Sequence, residues 1–274
     1  MSYEINNFVD NSNIRLVEKK GNIQIIEYIK DLSVDINNAQ KMYFASHMEL
    51  RQRQALVTLE NDSFIISAGA MQWILGDINI KSDVKGVGDV FGKLVKGSVT
   101  SESAVKPKYY GTGNLMLEPT YKHLLIEDVS TWRGGMVLED GMFLGCQGSV
   151  KESISARKNI SSAVFGKEGF FNLKLEGKGF AVIESPVPRN ELIEINLNND
   201  VMKIDGNMAI AWSGTLSFTV EKSTKHIAGS IISGEGLVNV YRGTGKILMM
   251  PLSNQYSEVE NLVNNTKIKG DFEK

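Results

Sequence analysis

Cysteine, histidine and proline are scarce in this chain of 274 residues, which contains 1 Cys, 3 His and 5 Pro. The single cysteine, Cys146, excludes an internal disulfide and any zinc site built from several cysteines. It also favours a reducing compartment. A chain of this length buries roughly 75% of its unfolded surface, so the fold needs neither a disulfide nor a metal to hold a core.

The sequence also lacks a large excess of positive or negative charge, and it lacks long apolar runs. The net charge is −2 and the pI is near 6.0, so the sequence has no strong signal for nucleic-acid or membrane binding. No run reaches the length of about 18 apolar residues that a membrane-spanning helix needs. The first residues lack the basic and apolar regions of a secretory signal. We therefore expect a cytoplasmic protein, and frequent Asn, Ile and Lys indicate a low-GC bacterial gene.

An internal repeat is what the sequence does contain. GTGNLMLEP at 111–119 matches GTGKILMMP at 243–251, and GKGFAVIESP at 177–186 lies between them. The leading glycines are 66 residues apart, at Gly111, Gly177 and Gly243. Each segment also closes with a proline, which indicates three copies of one unit.

The repeat divides the chain into five predicted segments. An N-terminal extension precedes three β-repeats, and a polar tail follows them. Their bounds are 1–54 for the extension, 55–121, 122–188 and 189–253 for the repeats, and 254–274 for the tail.

One repeat read in detail predicts short strands and turns. Alternation over 191–197 places Ile193, Ile195 and Leu197 on one face of a strand. Asn-Asn-Asp at 198–200 predicts a turn before a second short strand, and Asp-Gly at 205–206 predicts a tight hairpin.

The second half of the same repeat continues this pattern. Leu216, Phe218 and Val220 alternate with polar residues, and Gly-Thr-Gly at 243–245 predicts another turn. Closely spaced short strands indicate an all-β barrel or sandwich-like module. Three tandem copies favour a pseudo-threefold arrangement in which each copy covers edges of its neighbour.

Helical structure is expected in only a few places. Within the repeats, 86–97, 156–169 and 223–236 have the small residues and glycine stops of short helices or ordered loops. In the extension, 15–30 predicts a hairpin and 34–54 a helix. That helix would pack its apolar side chains on the barrel, namely Ile36, Ala39, Tyr43 and Leu50.

The glycine pairs do not form a phosphate-binding loop. A Walker loop needs a glycine five residues before Gly-Lys and a hydroxyl after it. For Gly245-Lys246 these positions hold Val240 and Ile247, and the other Gly-rich stretch, at 86–94, fails in the same way. We interpret these glycines as structural.

The histidines leave a metal site open as one alternative. His47 and Glu49 have a short His-x-Glu spacing, and His123 and His226 are the other histidines. Two His and one carboxylate form the metal site of double-stranded β-helix oxygenases. The competing interpretation is surface or helix-capping histidines, because the partner histidine would have to come from an unrelated phase of the repeat.

Other polar residues carry similar paired interpretations. Cys146 could be a nucleophile with His123 or His226, or a buried small apolar residue. Glu102, Glu168 and Glu235 recur in phase and could form a carboxylate ring or cap the backbone beside the following glycine.

The remaining candidates are aromatic and basic. Trp73 and Trp212 lie at similar phases and are expected in the core or between units rather than as a stacking platform. Arg-Gln-Arg-Gln at 51–54 is too short for a nucleic-acid patch. We therefore assign no catalytic, cofactor-binding or metal residue, and leave the binding residues open.

Several strings resemble one protein family. AGAM, FGKEGFFN, SGEGLVNVYRGTG, DGNMAIAWSG and the final GTGKILMMP are similar to the altered-inheritance-of-mitochondria family, member twenty-four, and its uncharacterised bacterial relatives, over about residues 55–252. The resemblance implies three tandem double-stranded β-helix repeats like those of the tryptophan RNA-binding attenuation protein (TRAP-like). It also implies no known enzymatic activity and no agreed catalytic residues. The role of mitochondrial members in inner-membrane organisation does not transfer to a bacterial chain.

Three functional hypotheses follow from these observations. The leading one is a non-enzymatic scaffold or binding protein that associates with itself or with an unknown protein partner, without a cofactor. The second is a module that binds a small molecule or nucleic acid between units of the TRAP-like fold. The third is a metal-dependent enzyme that uses His47 and Glu49.

Overall fold

The computed structural model describes residues 3–8, 10–81, 106–156, 171–222 and 237–252. Within these ranges the chain forms two antiparallel sheets, one short α-helix, α1 (Ala39–His47), and a single turn of 3-10 helix at Val129–Thr131. The predicted all-β class is confirmed. No helix in the described ranges has both the length and the hydropathy to cross a membrane.

The strands follow one another closely along the chain. In order they are β1 (Ile14–Lys20), β2 (Ile23–Tyr28), β3 (Arg53–Ile66), β4 (Met71–Lys81), β5 (Lys108–Leu117), β6 (His123–Asp128), β7 (Met136–Leu138), β8 (Phe143–Gln147), β9 (Lys151–Ala156), β10 (Phe171–Glu176), β11 (Phe180–Ser185), β12 (Ile193–Asp205), β13 (Ala209–Ser213), β14 (Ser217–Lys222) and β15 (Leu237–Met249).

The first sheet has the order β1-β2-β3-β8-β11-β6, with β5 beside β3 and β4 beside β5. Its two ends approach each other, because Lys20 Nζ donates to Ile126 O at 2.6 Å and Ile126 N donates to Glu18 Oε2 at 3.2 Å. Side chains of β1 therefore bridge to β6, and the sheet is nearly a closed barrel.

The second sheet has the order β12-β15-β13-β7-β10-β9, with β14 beside β15. Strand pairs also cross the predicted repeat boundaries. Ile65 of β3 is paired with Cys146 of β8, and Leu138 of β7 is paired with Ala211 of β13. The segments predicted to be neighbouring repeats are therefore joined by backbone pairing between their strands.

The long strand β5 bends sharply at Gly111-Thr-Gly113. Ile66 N donates to Pro107 O at 3.1 Å, and Glu118 N donates to Ala70 O at 2.8 Å. Residues 66 and 70 lie at most about 14 Å apart along the chain, whereas a straight strand from 107 to 118 would span about 36 Å. The two ends of β5 can meet this short connection only if the strand bends sharply in its middle.

The bend requires glycine because strand β4 crosses close to it. A Cβ on Gly111 would overlap the carbonyl oxygen of Asp77, and one on Gly113 would overlap that of Leu75. Gly111 also has φ +132°, a conformation that side chains disfavour.

The matching sequences at 59–62 and 197–200 share one backbone geometry. Asn61 and Asn199 both have φ +52° at a β-bulge. The N–H of Asn61 donates to Thr112 Oγ1 at 3.1 Å, and that of Asn199 donates to Thr244 Oγ1 at 2.9 Å. The threonine of each Gly-Thr-Gly therefore accepts the backbone N–H of the bulged asparagine in the facing strand.

Two of the three predicted turns are wrong, and the third turn does not form the predicted hairpin. Asn-Asn-Asp at 198–200 is a bulge inside the continuous strand β12, and Gly-Thr-Gly at 243–245 is a bend inside β15. Asp-Gly at 205–206 does turn the chain, but it joins β12 to β13, which both pair with β15 rather than with each other. The predicted hairpin is replaced by two strands that flank a third.

The extension agrees with its prediction only in part. The hairpin over 15–30 is confirmed as β1 paired with β2. The helix is shorter than 34–54, and none of its residues is buried. Ile36 is 90% exposed, Tyr43 60% and Leu50 49%, so the predicted packing of these side chains on the barrel is wrong. Residues 53–54 already belong to β3, whose pairing with β2 takes them from the helix.

The core follows the strand alternation. Leu216 and Phe218 are buried, and Val220 packs against the same cluster. Trp212 is 2% exposed and its ring lies 5.2 Å from that of Phe218, so its predicted core position is confirmed. Trp73 is half-buried and contacts Phe8 of the extension edge-on.

Some predictions fall outside the described residues. These are the short helices over most of 86–97, 156–169 and 223–236, the three carboxylates Glu102, Glu168 and Glu235, His226, and the polar tail 254–274. The division into segments stays a prediction.

Candidate functional site: the groove beneath helix α1

A groove of about 620 Å³ lies between α1 and the end of the first sheet. One face of α1 forms its wall, through Ala39, Met42, Tyr43, Ser46 and His47. The opposite wall comes from the end of β2 and the segment after it. Its apolar and aromatic residues are Tyr28, Ile29, Leu32 and Val34, and Leu50 after α1 and Tyr121 before β6 complete the lining.

Asp35 shapes the chain before α1. Its Oδ1 accepts the N–H of Asn37 at 2.8 Å, and its Oδ2 accepts from Asn38 Nδ2 at 2.8 Å. Such local carboxylate bonds favour a turn before a helix. They hold the segment that leads into α1 without burying any apolar residue of the helix.

An ion cluster lies beside the groove, in the sheet that supports it. The carboxylate of Glu27 is 2.6 Å from Arg53, 2.5 Å from Arg15 and 3.3 Å from Arg51. The side chains of Glu27 and Arg53 are only 2% and 4% exposed. Because Glu27 and Arg53 are opposite each other in the β2–β3 register, the strand pairing itself brings the two charges together.

Electrostatics keep this cluster ionised. Burial opposes the charge of Glu27, but Arg53, Arg15 and the arginine hydrogen bonds outweigh it, so the pKa of this carboxyl is lowered. Nearby, burial and then the Arg53 charge lower the pKa of His123 to about 4. His123 is therefore a neutral imidazole at physiological pH.

Arg51 connects the cluster to the groove. It pairs with Glu49 at 3.1 Å and donates to the carbonyl of Ser46 in α1 at 3.4 Å. Arg53 donates to Glu49 O at 3.1 Å. These bonds tie the C-terminal end of α1 to the sheet. Arg51 Nε is buried and has no hydrogen-bond partner among the described atoms.

The structure brings some predicted residues to this groove. His47 and Glu49 both line it, with the His47 ring edge-on to Tyr43 at 4.4 Å. Within the described ranges, no three His, Cys, Asp or Glu side chains lie close enough to share a metal ion.

Cys146 lies elsewhere, in strand β8 of the first sheet. It is fully buried, and burial followed by the charge of Glu152 raises the pKa of its thiol. A neutral buried thiol agrees with the apolar interpretation rather than with an activated nucleophile.

Sequence reasoning missed the ion cluster. Arg51 and Arg53 were read only as too short a run for nucleic acid, yet Arg53 is buried against Glu27, 26 positions earlier in the chain. A usable signal was present only at Glu27, a charge that directly follows the core residues Ile25 and Ile26. Arg53 lies between two glutamines in the sequence and gives no such signal.

Comparisons with known proteins agree on one family. The model of the family described as mitochondrial biogenesis AIM24 matches residues 47–252. An uncharacterized protein of Streptococcus pyogenes serotype M6 is 28% identical over 198 residues, which cover 70% of this chain and 77% of that protein. The crystal structure of a protein from Streptococcus pyogenes is similar in fold, with a TM-score of 0.56 at 22% identity, covering 81% of this chain and 95% of that one.

Proposed function

Since the chain belongs to the mitochondrial biogenesis AIM24 family, we propose that it is a non-enzymatic scaffold that associates with a second copy of itself through the surface around α1. The observation that carries the proposal is the exposure of apolar side chains there. Phe44 is 59% exposed and Met48 76%. Clustered exposed apolar residues of this size mark interaction sites in soluble domains.

A second copy suits this surface because α1 carries both an exposed aromatic side chain and one wall of a groove that could receive it. Tyr43 lines the groove, whereas its neighbour Phe44 lies outside it. A two-fold interface sets the same patch of each copy against the other, so a side chain next to a groove can enter the partner's groove. Phe44 of each copy would fill the groove of the other copy.

Charge balance favours a protein over nucleic acid as the occupant. The lysine, arginine, aspartate and glutamate side chains that line the groove are Lys30, Asp31, Glu49 and Arg51, which are two of each sign. Phosphate backbones are bound by net positive surfaces. A balanced, largely apolar groove suits a protein surface of the same composition.

The finer architecture belongs to the same proposal. We propose that the sheets arise from three tandem TRAP-like units. Support comes from the shared bulge and Gly-Thr-Gly bend of the first and third units, and from Gly177 and Gly179, which lie at the matching place between β10 and β11. We also propose a cytoplasmic location, supported by the single buried thiol, Cys146; fractionation of cells would test it.

Sedimentation velocity over a range of concentrations tests the self-association. We expect the wild-type protein to sediment as a dimer and Phe44→Ser to sediment as a monomer with an unchanged circular dichroism spectrum. Leu252→Ser is the matched control, since Leu252 is also exposed, at 77%, but lies away from the groove. A wild-type protein that stays monomeric at every concentration would refute the proposal, as would a Phe44→Ser protein that still dimerises.

A further inference from the structure

A second cleft, far along the chain from α1, has a different chemical character. It has a volume of about 420 Å³ and lies where the loop after β6 meets strands β12, β13 and β15. The side chains that give it polarity are Thr131, Arg133, Asn196, Asn198, Ser213, Thr244 and Lys246. The cleft has two cations and no carboxylate among its lining residues.

Both cations lack a carboxylate partner among the described residues. Arg133 makes no salt bridge there, and the contacts of Lys246 Nζ are a 3.5 Å approach to Thr131 Oγ1 and a position 4.1 Å from the centre of the Trp132 ring. Elsewhere in the described ranges, arginines such as Arg53 and Arg242 are paired with glutamates at 2.6 Å. Two neighbouring cations left without a counter-charge repel each other, and an anion would relieve that repulsion.

Neutral donors surround the same point. Asn196 is opposite Lys246 in the β12–β15 register, so their side chains lie on one face of the sheet. Ser213 is 1% exposed, and its hydroxyl oxygen accepts a hydrogen bond from the backbone N–H of Lys246 at 3.0 Å. The hydrogen of this hydroxyl therefore remains for another acceptor. Asn amides and this hydroxyl can donate to oxygens of a ligand.

The indole of Trp132 provides an independent observation. Trp132 is 3% exposed, and its Nε1 is buried without a hydrogen-bond partner in the described atoms. Its ring face carries the Lys246 ammonium, a cation–π contact that holds the charge in place. A buried donor without an acceptor is costly in a finished fold, and here it belongs to a ring whose centre lies 4.1 Å from a cation that lines the cleft.

We propose that this cleft binds the phosphate group of a small phosphorylated molecule. A phosphate monoester carries about −1.5 to −2 charges at neutral pH, which matches Arg133 and Lys246 together. Arginine can hold two phosphate oxygens with its planar fork, while lysine acts as a point charge. The site is formed by side chains from the loop after β6 and from separate strands, so it is distinct from the Walker-type loop that the sequence excludes at Gly245-Lys246.

The site is independent of the proposed self-association, because it shares no lining residue with the groove beneath α1. Either proposal can therefore fail without the other. The distance along the chain between Arg133 and Lys246 also explains why no local motif reveals the site.

Isothermal titration calorimetry with ribose 5-phosphate and with inorganic phosphate tests the proposal. We expect the wild-type protein to bind ribose 5-phosphate, and Lys246→Met and Arg133→Gln each to weaken that binding at least tenfold. Lys122→Met is the matched control, because Lys122 does not line the cleft and is paired with Glu184 at 2.6 Å. The affinity of this variant for ribose 5-phosphate should equal that of the wild-type protein. Tighter binding of the ester than of inorganic phosphate identifies a phosphorylated metabolite, and equal binding identifies free phosphate.

Tryptophan fluorescence adds a readout that non-specific binding would not move. A ligand that draws the Lys246 ammonium from the Trp132 ring should change the emission of the wild-type protein, and Trp132→Phe should abolish that change while Trp73 and Trp212 remain. Wild-type binding weaker than about 1 mM for both probes, or equal affinities in the two cleft variants and the wild-type protein, would overturn the proposal.

Discussion

Replacing Glu27 by glutamine is the sharpest test of the ion cluster beside the groove. The change keeps the size of the side chain and removes the negative charge that Arg15, Arg51 and Arg53 share. Arg15 is 52% exposed and can be hydrated instead. Arg53 is 4% exposed and cannot.

The expected cost follows from this difference in burial. Removing one partner of a buried ion pair costs about 3–5 kcal/mol, because the other charge is left without compensation. We take the lower end, about 3 kcal/mol, since Arg53 also donates to the carbonyls of Arg51, Tyr121 and Glu49. For a protein of this size that corresponds to a decrease in Tm of roughly 6–12 °C.

Urea denaturation followed by circular dichroism at several pH values measures the effect. The folded pKa of Glu27 is lowered from 4.5, so its contribution to stability is complete above about pH 4.5 and is lost as the pH falls through the folded pKa. The difference in unfolding free energy between wild-type and Glu27→Gln proteins should therefore be largest at pH 7 and shrink on acidification below pH 4.5.

An exposed ion pair provides the control. Glu176 lies 2.8 Å from Lys174, and the two side chains are 40% and 24% exposed. Glu176→Gln should cost less than about 1 kcal/mol, because water screens this pair. If Glu27→Gln destabilises the protein no more than Glu176→Gln, or if its effect does not depend on pH, the reasoning about the buried cluster is wrong.

Two further predictions concern glycine and cysteine positions. Gly243→Ala should cost about 1 kcal/mol from its φ of +124° alone, because the nearest atom to the new Cβ would be Thr215 O at 3.5 Å. Gly111→Ala has the same backbone penalty, and its new Cβ would also overlap the Asp77 carbonyl. Urea denaturation should therefore show that Gly111→Ala loses about 1–3 kcal/mol more unfolding free energy than Gly243→Ala. Equal losses for the two variants would contradict the close approach of β4 to the bend in β5. Cys146 should react with an aromatic disulfide reagent only as fast as the protein unfolds, because burial raises its thiol pKa, and modification of the folded protein at the rate of free cysteine would show an accessible thiol.

Much of the fold could be predicted from local pattern. The sequence predicts the β1–β2 hairpin over 15–30, and alternation predicts the shared face of Leu216 and Phe218, which is buried. The continuity of β12 through Asn-Asn-Asp could not be predicted, because it depends on Thr244 of the facing strand accepting the N–H of Asn199. The sequence repeat pointed to matching geometry without saying that the geometry is a bulge and a bend.

The candidate site was predictable to a smaller degree. The His-x-Glu spacing selects His47 and Glu49, and both residues do line the groove. The groove itself depends on α1, which buries none of its residues and is held by Arg51 at its C-terminal end. The helix prediction assumed that an apolar side chain such as Tyr43 must face the chain's own core. An apolar pattern gives the face of a helix and not the molecule that covers it.

Native mass spectrometry of the wild-type protein tests the central claim most directly, because it reports the assembly and any retained ligand in one spectrum. Self-association through the α1 surface predicts a dominant species of twice the 30.3 kDa chain mass, and the 30.3 kDa species alone for Phe44→Ser. A wild-type spectrum that contains only the single chain would contradict the account.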